Sequence, residues 1–134
     1  MRELAIAYLA AAVVMAGLDL IWLKFAVDGL YKTALGGLLA ERTNMLAAVG
    51  FYVIYLVGVV IFAIRPALED GAWKTALVRG ALFGFFAYAT YDLTNLATLK
   101  GWPLRISLID MAWGTALTAL AAAGGAAVAL ALEA

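Results

Sequence analysis

The chain has no cysteine and no histidine. Without cysteine there is no disulfide and no thiol chemistry. Without histidine there is no imidazole acid–base catalyst, no histidine-ligated haem and none of the usual zinc sites. Ser107 is the single serine, so a Ser–His–Asp triad is excluded. Charge is scarce too: 13% of residues are charged and 67% are hydrophobic, whereas a soluble domain is roughly half apolar and roughly a quarter charged. Too few charges remain to build a water-facing surface, and disorder is excluded for the same reason. Nine basic residues cancel nine acidic ones. No basic face is left for phosphates, which excludes nucleic acid as a partner. Any chemistry must use Asp, Glu, Lys, Arg, Tyr, Thr, Asn, the backbone or a borrowed cofactor of open identity. A bound metal would have to accept oxygen ligands, which favours magnesium or calcium; no metal-ligating residues are singled out.

What the chain does have is long apolar runs. About 20 apolar residues cross a bilayer as a helix, and four stretches qualify: about 4–27, 44–64, 74–99 and 104–132. They are too long and too unalternating for barrel strands, and only helices or a closed barrel satisfy the backbone in lipid. The expected fold is therefore all-α, an integral membrane four-helix transmembrane bundle forming one domain over residues 1–134. Arg65-Pro66 is expected to stop the second helix. Lys100-Gly101-Trp102-Pro103 makes a tight hairpin between the third and fourth. Between the first two helices, Tyr31, Leu35, Leu38 and Leu39 recur at helical spacing beside Lys32, Glu41 and Arg42. That pattern suits a short interfacial segment.

An even number of spans puts both termini on one side. That side carries Arg2, Arg65, Lys74 and Arg79, against Lys24, Lys32, Arg42, Lys100 and Arg105 on the other. Four against five gives no usable positive-inside bias, so orientation stays open.

The same topology puts three acids at one depth. Asp19 lies five residues before Lys24, Asp92 eight before Lys100, and Asp110 five after Arg105. At 1.5 Å per residue, all three sit roughly 7–12 Å inside the hairpin-side boundary, on three different helices. An acid at a span's centre costs about 2.5–3.5 kcal/mol, less toward the interface, so these must face inward or meet partners. Suitable neighbours are Trp22 on the first helix, Tyr52 and Tyr55 on the second, Tyr88, Tyr91 and Asn95 on the third, and Trp113 on the fourth. Together these ten residues form the candidate ligand site. Plainer readings stand beside it. Asp110, three residues after Ser107, matches a capping box. Asp19 can pair with Lys24. All three acids can form a charge network with Lys24, Lys100 and Arg105. Small residues add a stripe at Gly80 and Gly84, and another at Gly114, Thr118, Ala121 and Gly125. Such stripes serve either internal helix packing or a homodimer.

The run Tyr88-Ala-Thr-Tyr91-Asp92-Leu-Thr-Asn95-Leu-Ala-Thr-Leu-Lys100-Gly-Trp102-Pro103, with Asp19-Leu-Ile-Trp22 before it and Ile109-Asp110-Met-Ala-Trp113-Gly114 after it, is distinctive. Through these segments the chain resembles, over its full length, a family of small predicted bacterial membrane proteins of unknown function. The resemblance implies four spans in the bacterial inner membrane and no particular activity. Three functions fit the residues. The first is a pocket near one leaflet that binds a lipid headgroup or small polar ligand, with membrane lipids as partners. The second is a proton- or cation-coupled small transporter. The third is a lipid-modifying enzyme, or its accessory subunit, with Asp92 or Asp110 as general base.

Overall fold

The computed structural model describes residues 1–38 and 44–133, and every regular element among them is helical. Helix α1 is Arg2–Ala26. It passes through a π-helical turn, Val27–Tyr31, into a short α2, Lys32–Leu35, and a 3₁₀ turn, Gly36–Leu38. Helix α3, Met45–Val59, continues through a second π-helical turn, Val60–Ile64, into α4, Arg65–Asp70. Helices α5, Trp73–Thr98, and α6, Leu104–Glu133, complete the chain. The expected interfacial segment is therefore broken into helical turns. Its remainder, with Leu39, Glu41 and Arg42, lies outside the described residues.

Three stretches are long and apolar enough to cross a membrane: Arg2–Ala26, Met45–Asp70 and Leu104–Glu133. Helix α5 is of similar length, at 26 residues, but Lys74, Arg79, Asp92 and Asn95 dilute its apolar content. Length and composition thus support three spans, against the four expected.

Pro66 does not stop the second helix. It sits in the first turn of α4, inside a continuous helical rod, so its missing N–H and its ring must be absorbed there. The wider turn at Val60–Ile64 immediately before it makes room for the ring, and the rod runs on to Asp70. It ends at Gly71, whose φ of +70° is the left-handed conformation glycine adopts without a Cβ clash. At its other end Asn44 caps α3, accepting the Ala47 N–H at 3.1 Å.

The side-chain distribution is the reverse of a soluble bundle. Alanines fill the interior: Ala7, Ala11, Ala63, Ala67, Ala76, Ala121, Ala122, Ala126 and Ala129 are buried, with Met15, Val59, Ile64 and Leu117 among them. Large apolar side chains face out, including Leu9, Val13, Phe25, Leu46, Ile54, Phe62, Phe86 and Leu132. Water would drive those side chains inward. In lipid there is no such drive, and small residues let backbones approach. Helices α5 and α6 do this most closely. A Cβ on Gly80 would lie 2.8 Å from both the Ala122 Cβ and the Thr118 carbonyl oxygen, and one on Gly84 would meet the Gly114 carbonyl oxygen. Pairings of 80 with 122, 84 with 114 and 118, and 92 with 107 make the two helices antiparallel. The small-residue stripes are thus used within the chain.

Candidate functional site

Three helices deliver the three acids to one cavity of about 310 Å³. Its wall holds Asp19 and Trp22 from α1, Tyr88, Tyr91 and Asp92 from α5, and Asp110 and Trp113 from α6. These are seven of the ten residues picked out by sequence. Leu23, Tyr31, Leu35, Trp102 and Ile106 complete it.

Each acid is in a different state. Asp19, 9% exposed, accepts the indole N–H of Trp113 at 3.1 Å. Asp110 accepts the Tyr31 hydroxyl at 3.0 Å. Asp92 is 0% exposed; its carboxyl lies beside that of Asp110, and neither of its oxygens accepts a hydrogen bond from an N–H or hydroxyl donor. Among the described residues, none of the three pairs with Lys24, Lys100 or Arg105; Arg65 and Glu69 do form an ion pair, 3.9 Å apart and exposed. The charge-network reading and the Asp19–Lys24 pair are therefore not what the structure forms. The capping-box reading of Asp110 fails as well. Helix α6 starts at Leu104, and Ser107 N–H already donates to the Pro103 carbonyl. Asp110 thus belongs to the second turn, where its side chain faces the cavity rather than the helix start.

Ring stacking and hydrogen bonds among its aromatic side chains hold much of the wall. The rings of Trp22 and Trp113 stack at 4.5 Å with 9° between their planes. Trp22 N–H donates to the Tyr31 hydroxyl at 3.3 Å, which in turn donates to Asp110. Trp102 N–H donates to Ser107 Oγ at 3.0 Å, and Ser107 Oγ reaches the Asp92 carbonyl at 3.4 Å. Trp102 also meets Tyr91 edge to face at 5.9 Å. The hairpin after α5 is thus tied to the turn of helix that carries Asp92.

Tyr31 went unread as a site residue because it is 79 positions from Asp110. Its helical spacing with Leu35 was visible, but the π-helical turn that brings both over the cavity was not. Burial, and then the charge of Asp110, push the Tyr31 phenol above its ordinary range. It stays a protonated donor at any physiological pH. Tyr31→Phe is expected to lower stability by about 1 kcal/mol, the usual net worth of one hydrogen bond, and to shift tryptophan emission as Trp22 loses its acceptor. A thermal melt with fluorescence detection checks both.

The remaining three expected residues lie elsewhere. Tyr52 packs on the core and contacts Phe51. Tyr55 turns to Thr118, with 2.7 Å between the hydroxyls, and stacks on Phe83 at 5.3 Å. Asn95 is half-buried one turn beyond Asp92 and is not on the cavity wall. Thr118 is the last polar side chain in the interior. Among the described residues, the buried polar ones are Asp19, Asp92, Ser107 and Thr118. Past Thr118, toward the end that carries Arg65 and Glu69, the described interior is Ala, Gly, Val, Leu and Ile. The cavity has a dry floor.

Among the described residues the acids are not grouped to hold a metal ion. Their arrangement suits a molecule that is cationic at one point and flanked by aromatic rings. A family model described as "Predicted membrane protein (DUF2177)" matches residues 4–127. No curated protein and no solved structure matches the chain.

Proposed function

We propose, for a chain that belongs to the family of predicted membrane proteins DUF2177, that it is a binding protein of the bacterial inner membrane. In this reading all four long helices cross as one bundle, and the cavity beneath one membrane face takes a cationic lipid headgroup or small polar cation. The observation that carries it is Asp92, a fully buried carboxyl without a single donor. Buried polar groups are almost always satisfied, and buried charges are paired. A buried acid beside a cavity, with no N–H or hydroxyl donor, is a group that a cationic ligand would satisfy; both oxygens are closed off from a water-sized molecule, so the ligand reaches them by displacing part of the wall. The volume falls at the lower end of the roughly 300–1,000 Å³ common for ligand sites, and the mix of aromatic walls with a few converging polar groups is typical of them.

The dry floor favours binding over transport. A proton or cation relay needs polar groups in sequence across the membrane, and beyond Thr118 the described interior offers none. For an enzyme, the one hydroxyl–carboxylate pair on the described cavity wall is Tyr31 and Asp110, and that hydroxyl also accepts the Trp22 N–H, a bond that ties it into the wall.

The test is a titration of nanodisc-embedded protein with butylammonium, followed through tryptophan fluorescence. Asp92→Asn is expected to weaken binding at least about 30-fold, since removing one member of a buried charged pair costs about 2 kcal/mol or more. Equal affinity in wild type and Asp92→Asn removes the basis of the reading.

A further inference from the structure

A second cavity, of about 350 Å³, adjoins the first. The two share Tyr88, Tyr91 and Asp110, and the second adds Phe51 from α3 and Ala87 from α5. Apart from Asp110 and the tyrosine hydroxyls, this lobe offers only ring and methyl surface. Phe51 is 48% exposed and Tyr91 56% exposed, and both lie among the outward apolar side chains that suit lipid. The polar cavity is therefore continued sideways, between α3 and α5, by an apolar lobe that reaches the outer surface of the helices. On its other side it is walled by Tyr31, Leu35 and Trp102.

We infer that the ligand is an amphiphile: a primary or secondary ammonium headgroup in the acid-lined cavity, with an alkyl tail leaving through the lobe between Phe51 and Ala87 into the bilayer. This rests on the binding role assigned above and narrows its ligand. The headgroup class follows from hydrogen bonding. Asp92 has two acceptor oxygens and no donor, so its ligand must bring N–H groups as well as charge. A quaternary ammonium brings charge alone. The tail follows from shape. A purely soluble amine needs no apolar lobe joined to its site, and a tail lying there stays in surroundings as apolar as the lipid it came from.

The experiment compares butylammonium with dodecylammonium on protein in phosphatidylglycerol nanodiscs, a bilayer that itself brings no amine. The readout is the ratio of the two affinities, so that partitioning of the longer chain into the bilayer cancels between variants. Ala87→Trp, which fills the lobe, is expected to lower the dodecyl-to-butyl affinity ratio at least tenfold. An unchanged ratio overturns the lateral tail. If Asp92→Asn still weakens butylammonium, the binding role survives that failure; if it does not, both fall. Dodecyltrimethylammonium is expected to bind at least tenfold more weakly than dodecylammonium, and equal binding overturns the N–H requirement. Should Ala87→Trp fail to fold, a dodecylammonium carrying a photoreactive group at its tail end gives the same answer on the wild-type protein. Labelling on the peptides that hold Phe51 and Ala87 supports the exit, and labelling confined to other positions overturns it.

Discussion

Gly84→Ala is expected to lower the thermal stability of the protein by about 3 kcal/mol, the upper end of ordinary overpacking costs. The added Cβ would meet the Gly114 carbonyl oxygen and lie 2.7 Å from both Cβ and Oγ1 of Thr118. None of these is the free end of a flexible side chain. The Gly114 oxygen is backbone inside α6. Thr118 Oγ1 is engaged with Tyr55 at 2.7 Å in the buried core. Relief therefore requires α5 and α6 to separate, and separation loosens the link to α3 as well. Gly17→Ala is the matched control. A Cβ there meets nothing within 4 Å, and Gly17 lies in the middle of α1. It is expected to raise stability by about 0.5–1 kcal/mol through helix propensity alone. Melting both variants in the same detergent decides the matter. If Gly84→Ala melts with the wild type, the close approach of α5 and α6 is not what holds the protein together.

Asp92→Leu is expected to move stability the other way, raising it by about 1–3 kcal/mol in ligand-free protein. The gain is the desolvation penalty of a buried polar group that has no partner. Its carboxyl accepts no N–H or hydroxyl hydrogen bond, its replacement ends the crowding of two carboxyls at Asp110, and the leucine methyls have the adjacent cavity of about 310 Å³ to enter. Asp19→Leu is the contrast. Asp19 accepts the Trp113 N–H, so its loss strands a donor and is expected to destabilise. Opposite signs at two acids of one cavity distinguish a binding group from a structural one. A fall in melting temperature for Asp92→Leu would mean that the native fold depends on this carboxyl, and the site reading would lose its support. With the expected gain, binding and stability trade against each other at a single residue, as they do where a functional group is held ready without a partner.

Much of the site was legible before any coordinates. Hydropathy marks the helical stretches, and the alternation of chain direction puts Asp19, Asp92 and Asp110 at one level. Trp22, Tyr88, Tyr91 and Trp113 follow as neighbours of those acids at helical spacing, and all four line the cavity. The misses share a cause. Tyr52 and Tyr55 lie at the right height, but the rotation of α3 about its axis turns Tyr55 to Thr118 and leaves Phe51 to reach the second cavity. Periodicity states which residues share a helix face, not which way that face points. Pro66 read as a terminus because the π-helical turn before it has no sequence mark. Tyr31 read as an interface residue because its partner is remote in the chain.

Composition alone determined that this is a membrane protein built from helices, because a chain with so few charges cannot face water and an apolar run must satisfy its own backbone. Residue order, read with alternating helix direction, put acids from separate helices at one depth, because the rise per residue of a helix is fixed. Only tertiary packing decided which acid has no partner. Trp113 and Tyr31 satisfy Asp19 and Asp110 through contacts 94 and 79 residues apart in the chain, and no local signal carries such pairings. What the fold withholds from Asp92 is decided by where Trp113 and Tyr31 direct their donors.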